Sequence, residues 1–157
     1  MDLDGQIIQR EKMVLEPNQK YETSQNKFDE ILQEAVSKIF TAQRPVGMVL
    51  SGGADSSLLY AVAYELTGQK LSTYTVALES KLQTKYNDPH FVRIFNQQYP
   101  SENREIRVNK ATVMENWDAY IQSIDQPIGD SAGFLTWLVA KEAKEEVKVL
   151  SSGAGAD

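Results

Sequence analysis

Residues 45–59, with the sequence PVGMVLSGGADSSLL, constrain the fold of this chain more than any other stretch. An apolar run is followed directly by two glycines, a carboxylate and two serines, and then by a second apolar segment. This pattern predicts a buried strand, a tight turn and the first turn of a helix. Glycines let a ligand approach the backbone closely, and a helix N-terminus offers unpaired N–H groups. The stretch therefore predicts an anion site, most simply for a phosphate chain.

The glycine turn differs from the common phosphate-binding motif G-x-x-x-x-G-K-S/T, because no lysine follows the glycines. Asp55 stands where the lysine charge would be needed. A carboxylate facing phosphates is favourable when a divalent cation bridges the two groups, so the turn predicts a bound Mg²⁺.

Hydrophobic spacing along the rest of the chain predicts alternating strands and helices. We expect an amphipathic helix that starts after the N-cap Ser24 and has its apolar residues between Phe28 and Phe40. We expect strands over residues 46–50, 71–78, 104–108 and 147–150, with helices in the connections. The helix after the first strand is expected to end at Gly68. The last two helices are expected over residues 111–124 and 134–146, the former with Met114, Trp117 and Ile121 among its inward side chains. This order is typical of an α/β fold, a parallel sheet with helices on both faces. The alternating third strand is expected near an edge.

Two loops rich in glycine and serine, residues 51–57 and 151–157, follow predicted strands. The carboxyl ends of parallel strands share one rim, where ligands of such sheets bind. Asp125, Asp130 and Ser131 lie in a third loop that is expected at the same rim. They are either turn and N-cap residues or the border of a substrate pocket, and the residues alone leave both interpretations open.

Composition restricts the function. The net charge of −6 argues against a nucleic-acid surface, although a local basic patch is compatible with it. The chain contains no cysteine, which excludes disulfides, thiolate metal sites and a cysteine nucleophile within it. The sequence has neither an 18-residue apolar run nor a signal-peptide pattern, so we expect a cytoplasmic protein without a membrane-spanning segment. The single histidine, His90, is expected on a helix surface, whereas Trp117 and Trp137 are expected in the core.

The loop SGGADSS resembles the pyrophosphate-binding motif of the N-type ATP pyrophosphatases. A wider match includes RPVGMVLSGGADSS, YTVAL, DQPIGD and KVLSSGAGAD. It is similar to the synthetase domain of the glutamine-hydrolysing asparagine synthetases and covers about residues 25–157. The resemblance implies an adenine nucleotide alpha hydrolase-like, Rossmann-like fold for residues 25–157, with residues 1–24 as a linker. It also implies that this chain is a fragment of a longer enzyme and is inactive alone.

The family's site residues carry over by position. The resemblance implies that Ser51, Gly52, Gly53, Asp55 and Ser56 bind the pyrophosphate portion of ATP. It further implies that Val49, Leu50 and Val76 line the adenine and ribose, and that Ser152 and Gly153 contact the nucleotide. Asp55 and Asp157 would bind Mg²⁺, and the loop with Asp125, Asp130 and Ser131 would border the amino-acid pocket. The resemblance assigns no catalytic residue within this chain, and the catalytic residues stay unknown.

The implied reaction is adenylation of the aspartate side chain with release of pyrophosphate, followed by attack of ammonia. The family's cysteine-dependent glutaminase domain, which would supply that ammonia, is absent from this chain, and a homodimer of the full-length protein stays open. Ala154 stands where many family members have an acidic residue, and this difference leaves the acceptor open. The alternatives are a β-lactam synthetase-like or an NAD or GMP synthetase-like amide ligase, and a nucleotide-binding module without catalysis.

Overall fold

The computed structural model describes residues 21–40, 44–79, 87–126 and 128–154. Residues 21–24 are described by their backbone alone. The chain divides into two units between Ile31 and Leu32. In the first unit, the described residues form the N-terminal half of helix α1 (Tyr21–Phe40). The predicted division into a linker of residues 1–24 and a domain of residues 25–157 stays a prediction.

The second unit is built on a parallel sheet of four strands in the order β3-β2-β1-β4. The elements that follow α1 in the described chain are β1 (Val46–Val49), α2 (Ala54–Thr67), β2 (Ser72–Leu78), α3 (Asp88–Phe95), β3 (Glu102–Val108), α4 (Lys110–Ser123), α5 (Ser131–Ala143) and β4 (Val149–Ser151). Met48 of β1 pairs with Thr73 of β2 on one side and with Ser151 of β4 on the other. The predicted α/β class with a parallel sheet is confirmed, and β3 lies at an edge as expected.

Apolar side chains cover both faces of the sheet. On one face, Met48 and Leu50 pack with Tyr60 of α2 and Val92 of α3. On the other face, side chains of β2 and β3 pack with α4 and α5; the buried members are Tyr74, Ile106, Val108, Tyr120, Phe134, Leu138, Val139, Ala143 and Val147. Successive residues of a strand point to opposite faces, so Val49 and Leu50 belong to different layers.

Several element boundaries differ from the expectation. Helix α1 begins at Tyr21, so Ser24 lies inside the helix and is not its N-cap. Strand β3 begins two residues earlier than predicted, and α5 begins at Ser131 rather than at residue 134. Gly68 ends α2 as predicted, because its φ of 64° is a left-handed conformation that glycine adopts without a steric penalty.

Some side chains predicted to be inward are exposed. On α4, Met114, Trp117 and Ile121 are 71%, 46% and 45% exposed. This helix packs beside the edge strand β3, so only the side of the helix with Val113, Tyr120 and Ile124 reaches the core. Trp117 is thus a partly exposed residue and not the core residue we expected, while His90 lies on the surface as predicted. No helix within the described ranges is long and apolar enough to cross a membrane.

Candidate nucleotide-binding site

The turn between β1 and α2 depends on a left-handed glycine. Gly52 has a φ of +73°, and a Cβ added to it would lie 2.6 Å from the Cβ of Phe91 on α3. Any other residue would combine backbone strain with this clash, so the chain reverses here only because glycine has no side chain. The turn therefore packs closely against α3, and it places residues 53–56 at the rim of the sheet.

Three polar contacts of one buried serine hold the turn in shape. Ser56 is only 6% exposed, and its Oγ lies 3.3 Å from the Ser51 nitrogen and 3.1 Å from the Ser51 Oγ. The Ser56 hydroxyl also lies within 3.4 Å of the Gly53 carbonyl oxygen, and the Gly53 N–H donates to the Ser51 Oγ at 3.3 Å. These contacts tie the two ends of the turn to each other through its own side chains and backbone.

Helix α2 starts directly at this turn, with Gly53 as its N-cap. Gly53 has no side chain that could cap the helix, so the first N–H groups of α2 can donate to an anion. Asp55 lies in the first turn and is exposed to solvent. The combination provides hydrogen-bond donors and a single carboxylate side by side.

The loop after β4 touches this helix terminus. Strand β4 pairs with β1, and the loop that follows brings Gly153 against α2. A Cβ on Gly153 would lie 2.8 Å from the Ser56 nitrogen and 3.0 Å from the Asp55 Cβ. In the order β3-β2-β1-β4, the chain leaves β1 in one direction and returns as β4 on its other side. The two loops therefore meet at the switch point, where open α/β sheets bind ligands.

A cleft of about 440 Å³ opens between the two loops. It is lined by strand ends, by both loops and by one side of α5. The lining residues are Val49, Ser51, Gly53, Asp55, Ser56, Val76, Ala132, Leu135, Thr136, Val139, Ser152, Gly153 and Ala154. We call this space the switch-point cleft.

The structure brings most of the predicted nucleotide-binding residues to this cleft, with two differences. Leu50 is fully buried in the core on the other face of the sheet, and Gly52 faces α3. Neither residue lines the cleft, so a nucleotide there would meet at most their backbone atoms. Asp157, the second predicted metal ligand, lies outside the described residues.

The contribution of α5 was missed in the sequence. Ala132, Leu135, Thr136 and Val139 line the cleft at spacings of three, one and three residues. Residues at that spacing lie on one face of a helix, and this pattern could have indicated that the four residues line a common surface. The missing information was which side of the sheet α5 would cover.

A second cleft, of about 600 Å³, lies next to the first and shares Leu135 with it. We call it the aromatic cleft, because Trp117, Tyr120 and Phe134 line it. Asp130 and Ser131 also line it. The Asp130 carboxylate accepts the Ala132 N–H at 3.0 Å, so this residue is the N-cap of α5.

Asp125 is exposed and lines neither the aromatic cleft nor the switch-point cleft. The phenolic oxygen of Tyr120, which does line the aromatic cleft, is buried without a hydrogen-bond partner among the described residues.

The charge of the switch-point cleft comes from Asp55. No lysine or arginine stands among its described lining residues, so a phosphate there would interact with N–H groups and with a cation. Within the described residues, no group of three His, Cys, Asp or Glu side chains could form a complete metal site. A single exposed carboxylate such as Asp55 is compatible with a metal that is held jointly by the protein and by phosphate oxygens, as Mg²⁺ commonly is.

Shifted pKa values occur away from both clefts. Burial raises the pKa of the Asp88 carboxyl at the start of α3. Burial, together with the hydrogen bond to Glu146, raises the pKa of Tyr74 to about 12. Neither of these two groups lines the switch-point cleft or the aromatic cleft, so they do not mark a catalytic acid or base there.

Comparison with known proteins gives a consistent assignment. A family model described as asparagine synthase matches residues 27–157. A Methanocaldococcus jannaschii protein assigned as glutamine-hydrolyzing asparagine synthetase 2 is 32% identical over 128 residues, 81% of this chain and 24% of that protein. Glutamine-hydrolyzing asparagine synthetase 1 from Bacillus subtilis is 31% identical over 126 residues, 80% of this chain and 19% of that protein. The chain thus spans about a quarter or less of the curated relatives it matches.

A solved structure supports the fold. The U34-tRNA thiolase NcsA from Methanococcus maripaludis is 18% identical, with a TM-score of 0.53, over 82% of this chain and 46% of that chain. At this identity the likeness concerns the fold alone, and it agrees with the predicted adenine nucleotide alpha hydrolase-like architecture.

Proposed function

This chain belongs to the asparagine synthase family, and on that premise we propose that its switch-point cleft binds ATP and serves ATP-dependent amide formation. The observation that carries the proposal is the contact between Gly153 and the first turn of α2. It brings the loop after β4 against the N–H groups at the start of α2, next to the carboxylate of Asp55. A phosphate chain satisfies those donors, and a purine ring fits the apolar side chains beyond them.

Each part of ATP has a proposed place in the cleft. The pyrophosphate portion binds to Ser51, Gly53, Ser56 and the N-terminus of α2, because these supply hydroxyl and N–H donors. The adenine and ribose lie against Val49 and Val76, and Ser152 and Gly153 contact the nucleotide from the second loop.

The proposed metal is Mg²⁺, which when bound neutralises the phosphate charge and stabilises the departing pyrophosphate. Asp55 offers an exposed carboxylate beside the proposed phosphate position, and Asp157 is the proposed second ligand.

We propose that the acid substrate is aspartate and that it approaches from the aromatic cleft, past Asp130 and Ser131. The side-chain carboxylate attacks the α-phosphorus, the bond to the β-phosphate oxygen breaks, and pyrophosphate leaves. Ammonia then attacks the acyl carbon and displaces AMP, which gives asparagine. The residues of this chain act by binding and orienting the reactants, a contribution that can lower a barrier by several kcal/mol, roughly 7–11 in well-oriented systems.

Calorimetric titration with ATP and Mg²⁺ tests the binding step. We expect Asp55→Asn to weaken binding of the magnesium complex at least about tenfold, since a charged metal contact is removed. Asp118→Asn, an exposed substitution on α4 that lies outside both clefts, is the matched control and should bind like the wild type. No binding to the wild-type chain would refute the proposed function, whereas equal binding to both variants would refute the metal role of Asp55 alone.

The reaction itself is proposed for a longer protein, because this chain spans a quarter or less of its relatives. Pyrophosphate release that needs both ATP and aspartate is the expected result there. Release with another acid in place of aspartate would reassign the acceptor, for which Ala154 is the residue to examine. In the alternative of a nucleotide-binding module without catalysis, ATP binds and no pyrophosphate is released from any acid.

A further inference from the structure

The peptide unit that joins Leu50 to Ser51 opens the glycine turn, and both its carbonyl oxygen and its N–H group are hydrogen-bonded to side chains. Strand pairing between β1 and β2 is continued by the Leu50 N–H, which donates to the Tyr74 carbonyl oxygen at 2.9 Å. Beyond this bond, the Leu50 carbonyl accepts a hydrogen bond from a side chain, the Thr75 hydroxyl, at 2.7 Å. The other end of the same peptide, the Ser51 N–H, donates to the Ser56 Oγ at 3.3 Å.

A peptide unit is planar, so fixing the direction of its C=O also fixes the direction of its N–H. The Thr75 bond on the Leu50 carbonyl therefore aims the Ser51 N–H into the turn. Thr75 itself is fully buried and lines no part of the switch-point cleft. The next residue, Val76, faces the cleft, so the Thr75 side chain points to the opposite face of the sheet. Its influence on that cleft must pass through the peptide.

We infer that Thr75 is a positioning residue that sets the geometry of the phosphate-binding turn from behind the sheet. The statement about nucleotide binding rests on the proposed function, whereas the statement about the Leu50–Ser51 peptide stands without it. A positioning role of this kind lowers the cost of ordering the turn when the phosphate chain binds.

Thr73 provides a matched control on the same strand. Both threonines are fully buried on the same face, and each hydroxyl lies 2.9 Å from the Asn103 Oδ1. The second contact differs. Thr75 reaches the Leu50 carbonyl, whereas Thr73 reaches the Ser101 hydroxyl at 2.9 Å, away from the turn. Valine has the shape of threonine without the hydroxyl, so each substitution removes one contact of Asn103, and only Thr75→Val also removes the hydrogen bond to the Leu50 carbonyl.

Two measurements on the purified chain test the inference. Amide hydrogen exchange without nucleotide should show the Ser51 N–H exchanging about tenfold faster in Thr75→Val than in the wild type or in Thr73→Val. Calorimetry should show binding of ATP with Mg²⁺ weakened about fivefold to tenfold by Thr75→Val and by less than about twofold by Thr73→Val. Thr75→Ser keeps the hydroxyl and should restore both values.

Equal effects of the two valine variants would overturn the inference, because the disturbance would then come from Asn103. Unchanged Ser51 exchange in Thr75→Val would overturn it as well. If the wild type binds no ATP, the proposed function fails, and the exchange measurement still decides the role of Thr75. Should Thr75→Val not fold, Thr75→Cys replaces it in the same comparison, since a thiol is only a weak donor.

Discussion

The two loops of the switch-point cleft have similar sequences and are held in different ways. The turn after β1 is fixed from within, by the contacts of Ser56 and by the left-handed Gly52. Within the described residues, the loop after β4 has one internal bond, from the Ala154 N–H to the Ser152 Oγ at 3.4 Å. Its position comes instead from outside, from the approach of Gly153 to α2.

This difference suggests that the two loops contribute to the cleft in different ways. A turn that is held in shape by its own hydrogen bonds loses little conformational entropy on binding, so it suits the phosphate chain. A loop that is held by close packing against its neighbour depends on that neighbour, and its geometry is lost when the packing is blocked. The first loop is therefore expected to affect the folding free energy most, and the second to affect binding most.

The largest effect is expected for Gly52→Ala. The φ of +73° strains any residue with a Cβ, and the added atom would lie 2.6 Å from the Phe91 Cβ. We expect the free energy of unfolding to fall by about 3 kcal/mol, the sum of left-handed strain and overpacking. Chemical denaturation measures it.

Gly68→Ala is the control for this measurement. Its φ is +64° and nothing lies within 4 Å of the added Cβ, so only the strain remains, about 1–2 kcal/mol. Equal losses in Gly52→Ala and Gly68→Ala would mean that the contact with α3 contributes nothing to the turn.

Gly153→Ala is expected to separate binding from stability. The added Cβ would meet the Ser56 nitrogen at 2.8 Å, a backbone atom that cannot rotate away, so the loop must move off α2. We expect binding of ATP with Mg²⁺ to weaken about tenfold, equivalent to about 1.4 kcal/mol, while the free energy of unfolding changes by less than about 1 kcal/mol.

The control is Gly129→Ala, where the Cβ would have no neighbour within 4 Å. It should bind and unfold like the wild type. A Gly153→Ala variant that binds normally would show that the two loops need not touch for the site to work.

The sequence predicts the two loops well because their chemistry is local. A glycine pair between an apolar run and a helix leaves few alternatives, and parallel strands bring their carboxyl ends to one rim. Fold class, the edge position of β3 and the stop at Gly68 were all readable from such signals. The contact between Gly153 and Ser56 could not be predicted from the sequence, because it depends on which strand lies beside β1.

Side-chain exposure was predicted less well, for a physical reason. Apolar spacing marks a helix face and does not say how much of that face a neighbouring element covers. Trp117 and Ile121 follow the helical period, yet α4 packs beside an edge strand and leaves them about half exposed. Leu50 is the opposite case, because it was predicted to contact the nucleotide and is buried instead. It follows Val49 directly, and successive residues point to opposite faces, so its side chain lies in the core on the other face of the sheet.

The smallest effect is expected for Ser56→Ala, which removes the internal contacts of the first loop and leaves its glycines unchanged. A buried hydroxyl in such contacts contributes about 1 kcal/mol, so we expect that loss in the free energy of unfolding. We expect a loss of about threefold to fivefold in affinity for ATP, since the Ser51 N–H loses its partner and the turn is less ordered before binding.

Ser57→Ala is the matched control one residue further along α2, because the Ser57 hydroxyl takes no part in the contacts of Ser56. It should leave the unfolding free energy within about 0.5 kcal/mol of the wild type. If Ser56→Ala weakens binding more than Gly153→Ala does, the contrast between the loops is wrong: the serine network, and not the packing of the second loop, would then limit the affinity of the cleft.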